Sequence, residues 1–149
     1  MKTKIFISLL LLFANMEIKK NGLTKKERIS SKIEIDRLFS EGSSFVVYPL
    51  RVIYTENKPS ETGKANVSIM INVPKRKFKR AVKRNRLKRL MKESFRLNKH
   101  DFIEKTTSQS KYISVAFLYL SHEEKKFDEI EIAMKKALET LTGKVLIQK

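Results

Sequence analysis

Arg84-Asn85-Arg86, followed by Lys88, Arg89 and Lys92, is the stretch of this chain best equipped for chemistry, and that chemistry is anion binding. Guanidinium groups meet phosphate oxygens through paired, charge-assisted hydrogen bonds, and lysine adds a compact point charge. The run is wider than those six residues. Between positions 75 and 92 stand eleven basic residues (Lys75, Arg76, Lys77, Lys79, Arg80, Lys83, Arg84, Arg86, Lys88, Arg89, Lys92) and no acidic one. A charge run is ordinarily a solvated face. Three features count against that reading here. Only Glu93 lies within reach as an acid partner at helical spacing. Arg outnumbers Lys from 84 to 89. The residues just before the segment, PKRKFKR, are themselves strongly basic. A polyanion is the simplest compensation, and each phosphate neutralised steepens the log–log salt dependence of binding by about 0.7–0.9. Composition does not separate RNA from DNA.

Other chemistries are poorly served. There is no cysteine, which rules out a disulfide framework and a cysteine zinc site. His100 and His122 are the only histidines; a two-histidine metal site is conceivable, and two solvated histidines are the ordinary reading. No GxGxxG, Walker loop or GxSxG occurs, and four glycines leave little for a phosphate-cradling loop. We therefore expect no catalytic residue, no metal site and no organic cofactor on the chain. With 149 residues, 41% hydrophobic and 33% charged, it reads as one folded domain. A net charge of +17 attracts nucleic acid, anionic membrane or acidic protein.

The N-terminus has three readings. Residues 1–15, MKTKIFISLLLLFAN, look like a secretory signal, with Lys2 and Lys4 before an apolar run broken by Ser8. That run is shorter than the roughly 20 residues a membrane span needs, and no clear small-x-small cleavage pair follows it. Alternatively translation starts at Met16, where the chain turns polar at once, or the segment is an unusual tail. We favour Met16, with residues 1–22 as a tail, residues 23–149 as the domain, a cytoplasmic location and no membrane partner.

The elements that must position the basic run follow from periodicity. Two capping boxes, Thr24-x-x-Glu27 and Ser31-x-x-Glu34, precede a short helix with the stripe Ile35, Leu38, Phe39 and a stop at Gly42. Residues 50–55 read as a strand after Pro49, with a further strand conceivable at 45–48; residues 57–64 read as a loop. Residues 66–73 form a strand with Val67, Ile69, Ile71 and Val73 on one face and Ser68, Met70 and Asn72 on the other. The basic helix spans 79–97. Its keel is Leu87, Leu90, Met91 and Ser94; the outward stripe is Asn85, Arg89, Lys92 and Arg96, flanked by Arg84 and Arg86. Residues 98–110 read as a loop. Residues 112–120 are apolar on both faces, a strand buried on both sides. Ser121-x-x-Glu124 caps a last helix with the stripe Phe127, Ile130, Met134, Ala137, Leu138 and Leu141, ending at Gly143. Phe95 and Phe117 read as core. The order α-β-β-α-β-α predicts an α+β fold, a two-layer α/β sandwich.

Taken together, RNRLKRLMKESFR, the strand and basic turn before it (INVPKRKFKRAVK) and KERISSKIEIDRLFSEGSS resemble the protein subunit of bacterial ribonuclease P over residues 23–141. The resemblance implies a ribosomal-protein-like sandwich with a left-handed βαβ crossover, against the usual right-handed rule. It implies an accessory protein joined to a catalytic RNA that, with Mg²⁺ held mainly by that RNA, removes the 5′ leader of precursor tRNA. By the same resemblance Arg84, Asn85, Arg86, Lys88, Arg89 and, from the outward stripe, Lys92 contact the catalytic RNA. A cleft between the first helix and the sheet holds the leader with Ile35, Phe39, Val52 and Tyr54, and Lys75 and Arg76 neutralise its phosphates. Unpaired bases stack on aromatic groups without sequence preference. The family commonly has an aromatic where Ile35 stands, and isoleucine packs against a base without stacking on it. Phe39 and Tyr54 can also be plain core residues. The subunit is expected to be monomeric within the ribonucleoprotein. A structural, ribosomal-type RNA-binding protein is the alternative; a secreted cationic membrane-active protein leaves the Arg-Asn-Arg helix unexplained.

Overall fold

The structure, a computed structural model, describes Leu23 and residues 25–58 and 65–146. The expectations for residues 1–22, including a start at Met16, lie outside the described residues, as do Thr24 of the first capping box and most of the 57–64 loop. A 3₁₀ turn, Lys25–Glu27, leads to α1 (Lys32–Glu41), β1 (Ser43–Val47), β2 (Leu50–Asn57), β3 (Val67–Asn72), α2 (Ala81–Asn98), α3 (His100–Ser108), β4 (Tyr112–Tyr119) and α4 (Phe127–Val145). The sheet order is β1-β2-β4-β3, antiparallel except for the parallel pair β3 and β4. Those two strands are joined through α2 and α3 as a βαβ unit. The peptide between Tyr48 and Pro49, in the turn from β1 to β2, is cis.

Strand alternation assigns the two faces. Leu50 and Val52 of β2, Val67 and Ile69 of β3, and Ile113, Val115, Phe117 and Tyr119 of β4 meet Leu87, Met91 and Phe95 of α2 and Ile130, Met134 and Leu141 of α4 in the main core. The Phe95 and Phe117 rings pack at a tilt of 51°, 5.7 Å between centroids. The other face carries a smaller core, in which Leu38 of α1 and Ile29 meet Ile53 and Ala116. The expected α+β sandwich is thus the observed one, with α2 and α4 as its helical layer and α1 alone on the opposite face.

Four local expectations need correction. Residues 98–110 are largely helical, not a loop. Their apolar signal is narrow, but Phe102 and Thr106 are buried one turn apart, and Thr106 Oγ1 donates to the Phe102 carbonyl at 2.6 Å, which satisfies its hydroxyl. Helix α4 runs through Gly143 to Val145. Burial of Val145 and Leu146 outweighs the ~1 kcal/mol that glycine costs inside a helix. Ser121 does not cap that helix: its Oγ accepts from the Glu123 amide at 3.0 Å, while Lys126 stands at the N-cap, with Asp128 and Glu129 in the first turn complementing the helix dipole. Ser31 does stand at the N-cap of α1, but its side chain makes no capping hydrogen bond.

Gly42 ends α1 for a steric reason. Its φ of −71° suits any residue, yet a Cβ there would lie 2.3 Å from the Leu38 carbonyl oxygen and 2.8 Å from Ile53 Cγ2. Glycine lets α1 descend onto β2. Across the molecule, Lys99, only 1% exposed, donates to Glu27 Oε2 at 2.9 Å and ties the 3₁₀ turn to the α2–α3 corner.

Two stability outcomes follow. Gly42→Ala should lower the unfolding free energy by about 1–3 kcal/mol, the usual cost of overpacking, read as a lower denaturant midpoint with an unchanged slope. Glu27→Ala removes the carboxylate that faces a buried ammonium and should cost about 3–5 kcal/mol, whereas Glu27→Leu with Lys99→Met should recover most of that loss. Equal losses in the single and double variants would show that the pair is not what holds the corner.

Candidate nucleic-acid interface

The basic segment is organised by two anchors. Val73 and Phe78 are buried, and the Phe78 ring lies 5.8 Å from that of Tyr119. Tyr119 is itself fixed, donating to the Glu123 carbonyl at 2.6 Å and accepting from the Lys125 amide at 2.9 Å. Burial pushes its phenol above the usual tyrosine range, so it remains a donor. Between the anchors, the Lys77 and Phe78 amides both donate to the Pro74 carbonyl, at 3.2 and 3.3 Å. The turn therefore projects Lys75 and Arg76 outward at the end of β3.

Arg84 departs from its expected role as an exposed flank. It is half-buried, and Nη1 donates at 2.8 Å to both the Phe78 and Lys79 carbonyls. Lys77 likewise turns back, its Nζ donating to the Leu120 carbonyl. These two cations hold the turn, while Lys75, Arg76, Lys79, Arg80, Arg86, Arg89 and Lys92 are exposed and Lys88 is half-buried. Asn85 is exposed between Arg84 and Arg86. The buried keel of α2 is Leu87, Met91, Ser94 and Phe95, with Leu90 half-buried beside it, which leaves the predicted stripe facing outward. No acid occupies the first turn of α2, so cations crowd the positive end of the helix dipole. That arrangement is unfavourable in isolation and is relieved by an anion. Further along, Arg96 pairs with Glu93, donating from Nε at 2.9 Å; the hydrogen bond holds the Glu93 carboxyl below its usual range.

The second predicted surface is only partly assembled. Ile35 is half-buried against the smaller core, and Phe39, one turn further along α1, is 44% exposed. Val52 and Tyr54 are not beside them. Both point to the opposite face, Val52 fully buried in the main core and Tyr54 half-buried against Phe45 at 5.9 Å. The reason is parity. In LRVIY the set Leu50, Val52, Tyr54 is apolar and the other set pairs Arg51 with Ile53, so each set offers an apolar residue to a core and Ile53 is the one that faces α1. Arg51, on the same face as Ile53, was missed. It is exposed and stands in a cross-strand row with Val46, Leu118 and Asn72. Lys75 and Arg76 follow just beyond Asn72. The signal that could have found Arg51 is its two-residue spacing from Ile53, once that face is known.

Among the described residues there is no group of three or more His, Cys, Asp or Glu side chains placed to hold a metal ion. None of the helices among them is long and apolar enough to cross a membrane.

Sheet, helices and cationic face together define a small basic protein of the α+β sandwich class with a face suited to a polyanion. The family model described as Ribonuclease P matches residues 23–142. The ribonuclease P protein component of Porphyromonas gingivalis is 44% identical over 124 residues, 83% of this chain and 89% of its own. That of Chlorobaculum tepidum is 38% identical over 85 residues, 56% of this chain and 55% of its own. The solved structure of the Staphylococcus aureus ribonuclease P protein superposes with a TM-score of 0.62 at 19% identity, covering 81% of this chain and 98% of that one, a likeness of fold. The chain belongs to the bacterial ribonuclease P protein component family. It is a subunit of an endoribonuclease that acts in tRNA processing, and it associates with the ribonuclease P RNA.

Two substitutions separate the roles within Arg-Asn-Arg. Arg84→Ala removes two charge-assisted hydrogen bonds and should lower stability by about 1–3 kcal/mol. Arg86→Ala, at an exposed site, should stay within about 0.5 kcal/mol of the parent while weakening binding to the RNA. Thermal unfolding and a binding titration on the same samples check both. Equal stability of the two variants would show that Arg84 does not hold the turn.

Proposed function

We propose that the outward face of α2, with Asn85, Arg86, Lys88, Arg89 and Lys92, is the contact with the catalytic RNA, and that α1 with the uncovered sheet row guides the single-stranded 5′ leader of precursor tRNA. The observation that supports this best is the sorting of cations in and around the turn. Lys77 and Arg84 are turned inward to fix it, and their neighbours project from a rigid base. Arg84 then serves the RNA contact indirectly, by setting where α2 begins.

On the leader side, Ile35 and Phe39 offer apolar contact, Ile53 supports Ile35 from beneath, and Arg51, Lys75 and Arg76 face the phosphates. Phe39 is the one exposed ring there, suited to a stacked base. Val52 and Tyr54 act through packing. The chemistry resides on the RNA, which in this reading holds the Mg²⁺ and presents the water that cleaves the phosphodiester. The protein raises affinity for precursor over mature tRNA by gripping what only the precursor has. It works as a monomer within a cytoplasmic ribonucleoprotein.

The test mixes the full chain, freed of nucleic acid, with the cognate catalytic RNA and a 5′-extended precursor tRNA at low millimolar Mg²⁺. Release of the leader at the mature 5′ end should depend on the protein. Phe39→Ala should weaken precursor binding about 5- to 150-fold, the range that one lost base stack gives, and leave mature tRNA binding unchanged. Tyr54→Ala should lower stability without that selectivity. No stimulation by folded, RNA-binding protein would defeat the reading; equal losses for both substrates with Phe39→Ala would defeat the leader surface alone.

A further inference from the structure

A cavity of about 530 Å³ opens where the N-terminal segment crosses the outward face of α2. Its apolar lining comes from Leu23 and Leu90, both half-buried and continuous with the main core. Around the rim stand Arg28, Arg89, Lys92 and Arg96, with Glu93 as the lone acid. Glu93 is already engaged by Arg96, so the rim remains strongly cationic. The segment is held in place from three sides. Arg28 Nη2 donates to the Leu23 carbonyl at 3.4 Å, the Ile29 amide donates to the Ile69 carbonyl at 2.9 Å, and Glu27 is locked to Lys99.

An apolar floor ringed by guanidinium groups matches one ligand chemistry well: a flat, weakly polar ring joined to a phosphate. Arginine planes stack on nucleobases, and arginine and lysine pair with the backbone. The volume lies within the roughly 300–1,000 Å³ typical of sites that enclose a small molecule. A duplex offers no free base face to the floor, whereas an unpaired nucleotide does. The cavity is also continuous with the stripe assigned to the catalytic RNA, since Arg89 and Lys92 belong to both.

We propose that this cavity takes a single unpaired nucleotide of the catalytic RNA, its base against Leu23 and Leu90 and its phosphates on Arg28, Arg89 and Lys92. The proposal rests on the functional reading above and adds to it a site that reads RNA shape. A base held at one position would add direct readout of the RNA, which phosphate contacts along a stripe do not supply.

Ultraviolet crosslinking of the full chain to the cognate catalytic RNA, followed by mass spectrometry, identifies the nucleotide. The expected adduct joins an unpaired nucleotide to a peptide containing Leu23 or Leu90. Making that nucleotide abasic then removes the ring and keeps the phosphates. Affinity should fall about 5- to 150-fold, and the salt dependence of binding should be unchanged. Arg28→Ala should do the converse in part, reducing the log–log salt slope by about 0.7. Adducts confined to other peptides, or unchanged affinity for the abasic RNA, overturn the pocket while RNA binding by the parent protein stands. Failure of the parent protein to bind the catalytic RNA at all overturns the functional reading, and the pocket falls with it.

Discussion

Repulsion along α2 is the constraint around which the molecule is arranged. Within the helix, Lys83–Arg86, Arg84–Lys88, Arg86–Arg89, Lys88–Lys92, Arg89–Lys92 and Lys92–Arg96 are like-charged pairs at three- or four-residue spacing. At about 0.2–0.5 kcal/mol each they destabilise the helix by of order 1–3 kcal/mol. The segment is helical because the keel outweighs them. Leu87, Met91 and Phe95 are each almost fully buried, and burial of one such side chain is worth about 1.5–3 kcal/mol. The charge is therefore carried by tertiary packing, and the side chains are held near one another before any RNA arrives. A polyanion that neutralises them gains their mutual relief in addition to its own contacts.

Packing of the N-terminal segment extends the same face. A buried lysine is costly unless paired, and Lys99 finds Glu27 across the α2–α3 corner. That pair, with the bridge from Arg28 to Ile69, leads the chain across the outer edge of β3. One consequence is that β3 has no bare edge at that point, where an unpaired strand would invite association. Another is that Arg28 reaches the stripe on α2 from a second direction. A cationic surface built from one helix is a line; with Arg28 it becomes a concave patch.

Much of this was legible in the sequence. The strands at β3 and β4 and the stripes of α2 and α4 are long, periodic and uninterrupted, and the structure keeps them. The Arg-Asn-Arg helix, taken with the strand and basic turn before it and the stretch KERISSKIEIDRLFSEGSS, carried enough signal to suggest the family. What failed was whatever depends on contacts distant in sequence. Helix α3 is anchored by Phe102 and Thr106 in a polar segment whose pattern is too sparse to read. The face of β2 is hard to read because both sides of the strand carry apolar residues, Leu50, Val52 and Tyr54 on one and Ile53 beside Arg51 on the other, so Tyr54 was placed on the α1 side, whereas it packs on the main core. Arg84 looked like its neighbours, and only the carbonyls of Phe78 and Lys79 distinguish it. Gly42 read simply as a helix stop, and the structure adds that it clears Leu38 and Ile53.

The turn at residues 74–80 also joins the two surfaces proposed to face RNA. Asn72 ends the uncovered sheet row, Lys75 and Arg76 follow directly, and Arg80 stands at the N-cap of α2. Eight residues, folded back by the hydrogen bonds to Pro74, separate the row from the helix, so both surfaces share one end of the protein. Charges there lie within reach of each other across a Debye length of about 8–10 Å at physiological salt. Phosphates from two different RNA strands can then be neutralised by one continuous field. On the proposed reading, a small protein set at that end would hold a substrate leader against the catalytic RNA without contributing a reactive group, because bringing two polyanions together is itself costly and cations placed between them lower that cost directly.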